Sequence, residues 1–230
     1  MMMQAFIEEY IEIENNPRYH HKRNRLMTEL LARYPNLEQT SFDDLLIMLG
    51  QLKSNQADIR MPLFAQLIYP VLVREIESGN AQAIKVMLEY PHSLTSYNMM
   101  KKTYDGYTTR TLIDRYLQHD PDDREVLLKK LIYLADVLSN AVHELPLGVL
   151  YGMDGATVDG CQKLLERLEE YKVTCQKLHL DREADIHYCA AHFHGYRDYL
   201  LHQHLYQNYS DYIQQHQLEL RTTRNYYFKS

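Results

Sequence analysis

The side chains best suited to chemistry gather near the C-terminal end of the chain. They are His179, His187, His192, His194, His202, His204 and His216, with Cys175 and Cys189 among them. Cys175 and His179 are four residues apart and Cys189 and His192 three apart, so each pair shares one face of a helix. Two thiolates and two imidazoles suit a tetrahedral zinc. The four residues Cys175, His179, Cys189 and His192 are therefore the candidate metal ligands. Their spacing follows no zinc-finger pattern, and His192 and His194 lie about 200° apart on a helix, facing different ways. The expected state is a chain without bound metal or cofactor.

Other constellations are absent. No His-Glu-x-x-His helix, Gly-x-Ser-x-Gly elbow or Walker loop occurs in the sequence. Gly148, Gly152, Gly155 and Gly160 lack the strand and the Lys-Ser/Thr of a phosphate loop, and read as a turn region. Asp43-Asp44 and Asp122-Asp123 stand where helices should begin, and the helix dipole accounts for them. Lys22-Arg23-Asn24-Arg25 carries three charges and reads as a solvated helix face. Cys161, Cys175 and Cys189 read as buried structural thiols, since nothing places a base beside them.

The tyrosines of the same region form a second pattern. Tyr188, Tyr196, Tyr199, Tyr206, Tyr209 and Tyr212 recur mainly at three- and seven-residue steps. Tyrosine has an apolar body and a polar tip and is enriched at protein interfaces. A helix over residues 181–220 is expected to dock one face on the preceding helices through Ile186, Phe193, Leu200 and neighbouring tyrosines, so that the tyrosine stripe packs back on the chain's own core. The opposite face, with His192, His202 and Tyr206, is expected to stay open for a partner.

These groups must be held by helices. The chain has 230 residues with only 8 Gly and 7 Pro, too few breakers for a sandwich or barrel. Apolar residues recur at helical spacing, as in Val126, Leu127, Leu131, Leu134 and Leu138. The expected fold is all-α, an irregular helical bundle or a short α-solenoid of stacked helix pairs with a long C-terminal helix. Helices are expected over 4–14, 18–33 (stopped by Pro35), from Phe42, over 61–76 (kinked or divided at Pro70), 81–90, 109–118, 122–139, 147–152 and 156–179. Residues 91–108 read as an irregular connection, and Asp154-Gly155 as a turn. One domain, 1–230, is expected, with sub-regions 1–58, 59–180 and 181–230.

The middle of the chain resembles ankyrin repeats. Ser78-Gly79-Asn80-Ala81-Gln82-Ala83-Ile84-Lys85-Val86-Met87-Leu88-Glu89 is similar to their second-helix segment. Asp105-Gly106-Tyr107-Thr108 is similar to the turn that opens the next repeat, with 109–118 and 122–134 as its helices and 147–152 with 156–171 as a further pair. The chain departs from the family at Thr109-Arg110-Thr111-Leu112, where proline, leucine and histidine are usual, and its loops are uneven. The resemblance, over about 60–172, implies a non-enzymatic binding scaffold.

The formal net charge of -6 disfavours a broad nucleic-acid surface. No stretch approaches the ~18 apolar residues of a membrane span, and the N-terminus lacks a basic and then apolar leader. Three cysteines, an odd number, suit a reducing cytoplasm. The expected function is a helical scaffold that binds another protein, such as a bacterial effector or a toxin-neutralising immunity protein. The alternative is a metal-dependent hydrolase that uses the C-terminal His and Cys groups with Asp181 or Asp185.

Overall fold

The computed structural model describes residues 2–35, 37–102, 106–149 and 156–221. Among them every regular element is a helix and no strand occurs, so the protein is an all-α helical bundle. The chain forms two compact units, 1–121 and 122–230.

The first unit holds α1 (Met2–Asn15), a 3-10 turn (Pro17–Lys22), α2 (Arg23–Arg33), a second 3-10 turn (Leu37–Gln39) and α3 (Phe42–Ser54). Then come α4 (Met61–Leu63), a π turn (Phe64–Ile68), α5 (Tyr69–Glu77), α6 (Ala81–Met87), α7 (Pro91–Lys101) and α8 (Thr109–His119). Side-chain caps set several starts. Ser41 accepts from the Asp44 N–H at 3.1 Å, with Asp43 and Asp44 in the first turn of α3. Asn80 caps α6, after Gly79 turns the chain at φ +91. Thr108 and Thr111 cap α8 reciprocally.

Proline 70 does not divide its helix. The turn before it widens to π geometry, and the Tyr69 N–H bonds to the Phe64 carbonyl five residues back. Pro70 then sits in the first turn of α5, where its missing N–H is harmless. Two expectations change in this unit. Residues 18–22 are a 3-10 turn rather than the first turn of α2. Residues 91–101 form α7 rather than an irregular connection. That helix buries only Leu94, so it carries no apolar stripe for sequence reading to detect.

A buried carboxylate fastens the unit. Glu14 is 4% exposed. It accepts from both Arg60 Nε, at 2.9 Å, and Arg60 Nη2, and Arg23 stands 3.5 Å away. Beside it the Tyr10 hydroxyl donates to the Asp58 carbonyl at 2.8 Å and accepts the Arg60 N–H at 3.0 Å. The end of α1 is thereby tied to the loop that enters α4.

The second unit holds α9 (Arg124–Val142), α10 (Val158–Leu178), α11 (Glu183–Leu201), a 3-10 turn (Gln203–Leu205) and α12 (Tyr209–Gln215). Asp123 caps α9 and Thr157 caps α10. Both α9 and α11 pack on α10, and α12 packs on α11. Phe193 of α11 is fully buried, whereas Ile186 and Leu200 are half-buried. Residues 147–149 are not helical, and 150–152, like the expected turn at 154–155, lie outside the described residues. The last helix does not run to Leu220. It ends at Leu201, and Asn208 starts α12 by accepting from the Asp211 N–H at 3.0 Å. Asp211 in turn accepts from the Gln207 N–H at 3.1 Å. Gly195 lies inside α11 and is buried.

Removal of the Glu14 carboxylate takes from Arg60 and Arg23 the buried partner they share and leaves Arg60 only the exposed Asp58 carboxylate, 3.7 Å away. Loss of one partner of a buried pair costs about 3–5 kcal/mol. Arg60 is 30% exposed and can turn to solvent, so the low end applies. Glu14→Ala is expected to lower the stability of the first unit by about 3 kcal/mol, measured by urea unfolding. A change within error shows that the carboxylate is not its fastening.

Candidate functional site

The side chains singled out from the sequence fall mostly on one hairpin, made by α11, the turn after it, α12 and the irregular strap 216–221 that returns along α11. The turn exists because α11 ends at His202, whose N–H bonds to the Asp198 and Tyr199 carbonyls. The return path places α12 against α11 at Gly195. A Cβ there would lie 3.0 Å from Leu218 Cδ1 and 3.2 Å from Tyr212 Cε1, so a hydrogen at this position lets the helices close.

His192 lies under this crossing and is 0% exposed. Its Nε2 is 2.8 Å from the Glu219 carbonyl oxygen, which only accepts, so Nε2 carries the proton. Nδ1 is then the acceptor, 3.2 Å from the Tyr209 hydroxyl. That hydroxyl has one proton, shared between Nδ1 and the His192 carbonyl oxygen, to which it donates at 3.2 Å. The Tyr188 ring covers the imidazole edge-on at 4.7 Å. Burial lowers the His192 pKa, against a weaker opposing effect of Glu219. His192 is therefore not on an open face. The expectation assumed one docked side of α11, but α12 and the strap cover a second.

The tyrosines interlock between the two helices instead of forming one stripe. Tyr196 meets Tyr209 edge-on at 4.5 Å, and Tyr206 meets Tyr212 at 4.9 Å. Tyr212 stacks on His216 at 4.1 Å. The Tyr212 hydroxyl donates to Asp198 Oδ2 at 3.0 Å, and burial followed by that carboxylate pushes its pKa up to about 12. Tyr206 is half-buried, with its hydroxyl 3.1 Å from His216 Nε2. His202 is exposed, 3.1 Å from Asp198 Oδ1. Leu201 and Leu205, which sequence reading missed, are 58% and 60% exposed on the same turn.

The four candidate metal ligands do not assemble. Among the described residues no three His, Cys, Asp or Glu side chains stand as a group able to hold a metal ion. Both nitrogens of His192 are engaged, and His179 ends α10 in a left-handed conformation, φ 57. Cys161, Cys175 and Cys189 are buried and free. Burial pushes the Cys161 and Cys189 thiols up to about 11 and raises Cys175 as well, so all three are protonated at neutral pH and poor nucleophiles. Asp181 accepts from the Glu183 N–H at 3.1 Å, and Asp185 is paired with Arg221 at 2.7 Å. No family model matches the chain, and no curated protein or solved structure matches it either.

Two outcomes follow from this geometry. Phe193→Ala removes a fully buried ring and should cost about 3–5 kcal/mol in urea unfolding of the second unit. Second, an unfolded histidine takes up a proton near pH 6.5, whereas His192 resists protonation to lower pH. The unfolded state then binds more protons, so stability is full above about pH 6.5 and declines as pH falls below it. The charged or titratable groups around the ring are Tyr188, Tyr209, Glu219 and, over Tyr188, Arg221. His192→Asn should flatten the decline between pH 7.5 and 5.5, whatever its own stability. An unchanged slope would assign the effect elsewhere.

Proposed function

We propose that the protein is a non-enzymatic helical scaffold that binds another protein through the turn joining α11 and α12. One observation carries this reading. Leu201 and Leu205 expose more than half of their surface beside His202 and Tyr206, on a base of interlocked rings. Exposed apolar side chains grouped on a rigid support mark contact surfaces more than scattered ones do. A base held by ring packing and by the Tyr212–Asp198 and Tyr206–His216 bonds loses little freedom on binding, which favours affinity. Tyr206 and the two leucines form the anchor, His202 and the polar turn the rim.

In this reading the ankyrin-like stretch of about 60–172 is supporting scaffold. The partner is a protein rather than nucleic acid, in keeping with the net charge of -6. Among the described residues no helix is long and apolar enough to cross a membrane. The three unpaired thiols fit a reducing cytoplasm. An effector and a toxin-neutralising immunity protein are the two biological roles this binding mode suits.

The test compares the wild type with a Leu201→Glu/Leu205→Glu double variant in affinity capture. Both leucines are exposed, so the melting temperature should stay within a degree or two. At least one protein captured by the wild type should be lost by the variant, and its affinity, once purified, should fall at least tenfold, as for an interface anchor. Tyr206→Ala should act in the same direction. Capture of the same proteins by both forms, or a melting temperature lowered by the double variant, overturns the assignment of this surface.

A further inference from the structure

A second site lies away from that turn and does not depend on it. Helices α9 and α11 each pack on α10, and between them runs a groove of about 440 Å³. That volume is within the range of small-molecule sites, about 300–1,000 Å³. Its apolar part is built by Ala135, Leu138 and Val142 of α9 with Leu168 of α10. Its polar wall carries Arg182 and Asp185 at the start of α11, and Arg221 from the returning strap.

The two arginines differ in what they hold. Arg221 is fully engaged: Nη1 donates to Asp185 Oδ1 and Nη2 to the Ala184 carbonyl, each at 2.7 Å, and Nε donates to Glu219 at 3.3 Å. Its guanidinium also lies over the Tyr188 ring at 4.4 Å. Arg182 is different. Its Nη1 stands 3.9 Å from Asp185 Oδ2, beyond hydrogen-bond reach, while Arg221 bonds the other oxygen of that carboxylate. Among the described residues its guanidinium makes no hydrogen bond. The groove wall thus presents two guanidinium charges and one carboxylate, with one planar set of donors open.

We infer that this groove binds a small amphipathic carboxylate, its apolar body along Ala135, Leu138, Val142 and Leu168 and its head on Arg182. A guanidinium fork matches a carboxylate in two parallel hydrogen bonds. A single open guanidinium beside the Asp185 carboxylate suits one negative charge better than the two of a phosphate monoester. The apolar wall supplies the area-dependent part of the affinity, and Arg182 supplies the choice of head group.

The probe is decanoate, titrated below its micelle concentration into the full chain by calorimetry, with decanol, decyl phosphate and acetate as comparisons. Decanoate should bind saturably at one site per chain, tighter than decyl phosphate, and acetate should not bind measurably. Arg182→Gln should weaken decanoate at least tenfold and leave decanol unchanged. Arg182 is half-exposed, so this variant should melt as the wild type does. Arg182→Lys, which keeps the charge without the fork, should fall between the two. Ala135→Phe, which fills the groove from α9, should remove binding of both decanoate and decanol. The Leu201→Glu/Leu205→Glu variant should bind decanoate as the wild type does, which separates this site from the partner surface. No saturable decanoate binding, binding unaffected by Arg182→Gln or by Ala135→Phe, or a preference for decyl phosphate overturns the inference.

Discussion

The order of α12 and of the returning strap depends on one close crossing over α11 at Gly195. A methyl group added there would meet Leu218 Cδ1 at 3.0 Å and Tyr212 Cε1 at 3.2 Å, and those side chains would have to give by a few tenths of an ångström. Closure at that point brings the Glu219 carbonyl to His192 and the Tyr209 hydroxyl beneath the same ring. A buried imidazole is tolerated because both nitrogens find partners. Gly195 and His192, three residues apart on α11, meet the same returning segment, the glycine at Leu218 and the histidine at Glu219.

The first unit uses a different polar group for a similar purpose. Glu14, Thr174 and His192 are the buried polar residues among those described. Thr174 bonds within its own helix, at 2.7 Å to the Glu170 carbonyl, and so fixes nothing distant. Glu14 and His192 each join segments far apart in the chain, to Arg60 in one unit and to Glu219 in the other. Apolar burial favours compactness without choosing one arrangement, whereas a buried polar group is satisfied in few. The two groups specify which loop lies on which helix, and the apolar cores around them supply most of the stabilisation.

Much of the fold was legible because helices announce themselves locally. Ser41, Asn80, Thr108, Asp123 and Thr157 stand where their side chains cap the helices that follow, and the apolar stripe of α9 follows the helical period. What was not legible had several causes, some local and one not. The helix α7 was missed because it buries one residue and shows no stripe. The break after Leu201 had a local signal, Asn208 with Asp211 three residues on, but no glycine or proline to draw attention to it. The burial of His192 had no local signal at all. A periodicity argument gives a helix one inward face, and it cannot show that a later segment of the chain will cover the other. The tyrosines do pack inward as their spacing along the chain allows, but against a second helix, α12, that the expectation of one continuous helix did not contain.

The path of the strap also explains why both candidate surfaces lie along α11. A helix of 19 residues spans about 28 Å at 1.5 Å per residue. The exposed turn with Leu201 and Leu205 follows its C-terminal end, and the groove wall with Arg182 and Asp185 begins at its N-terminal end. From His216, stacked on Tyr212 beside that turn, the strap runs back to Arg221, which fixes Asp185 while Arg182 stays open to the groove. Between these ends the Glu219 carbonyl is held by His192. The ring stack at one end and the orientation of Asp185 at the other are therefore consequences of the same returning segment. A buried histidine bond close to its middle supports both, so the order of the two surfaces rests on packing that neither of them contains.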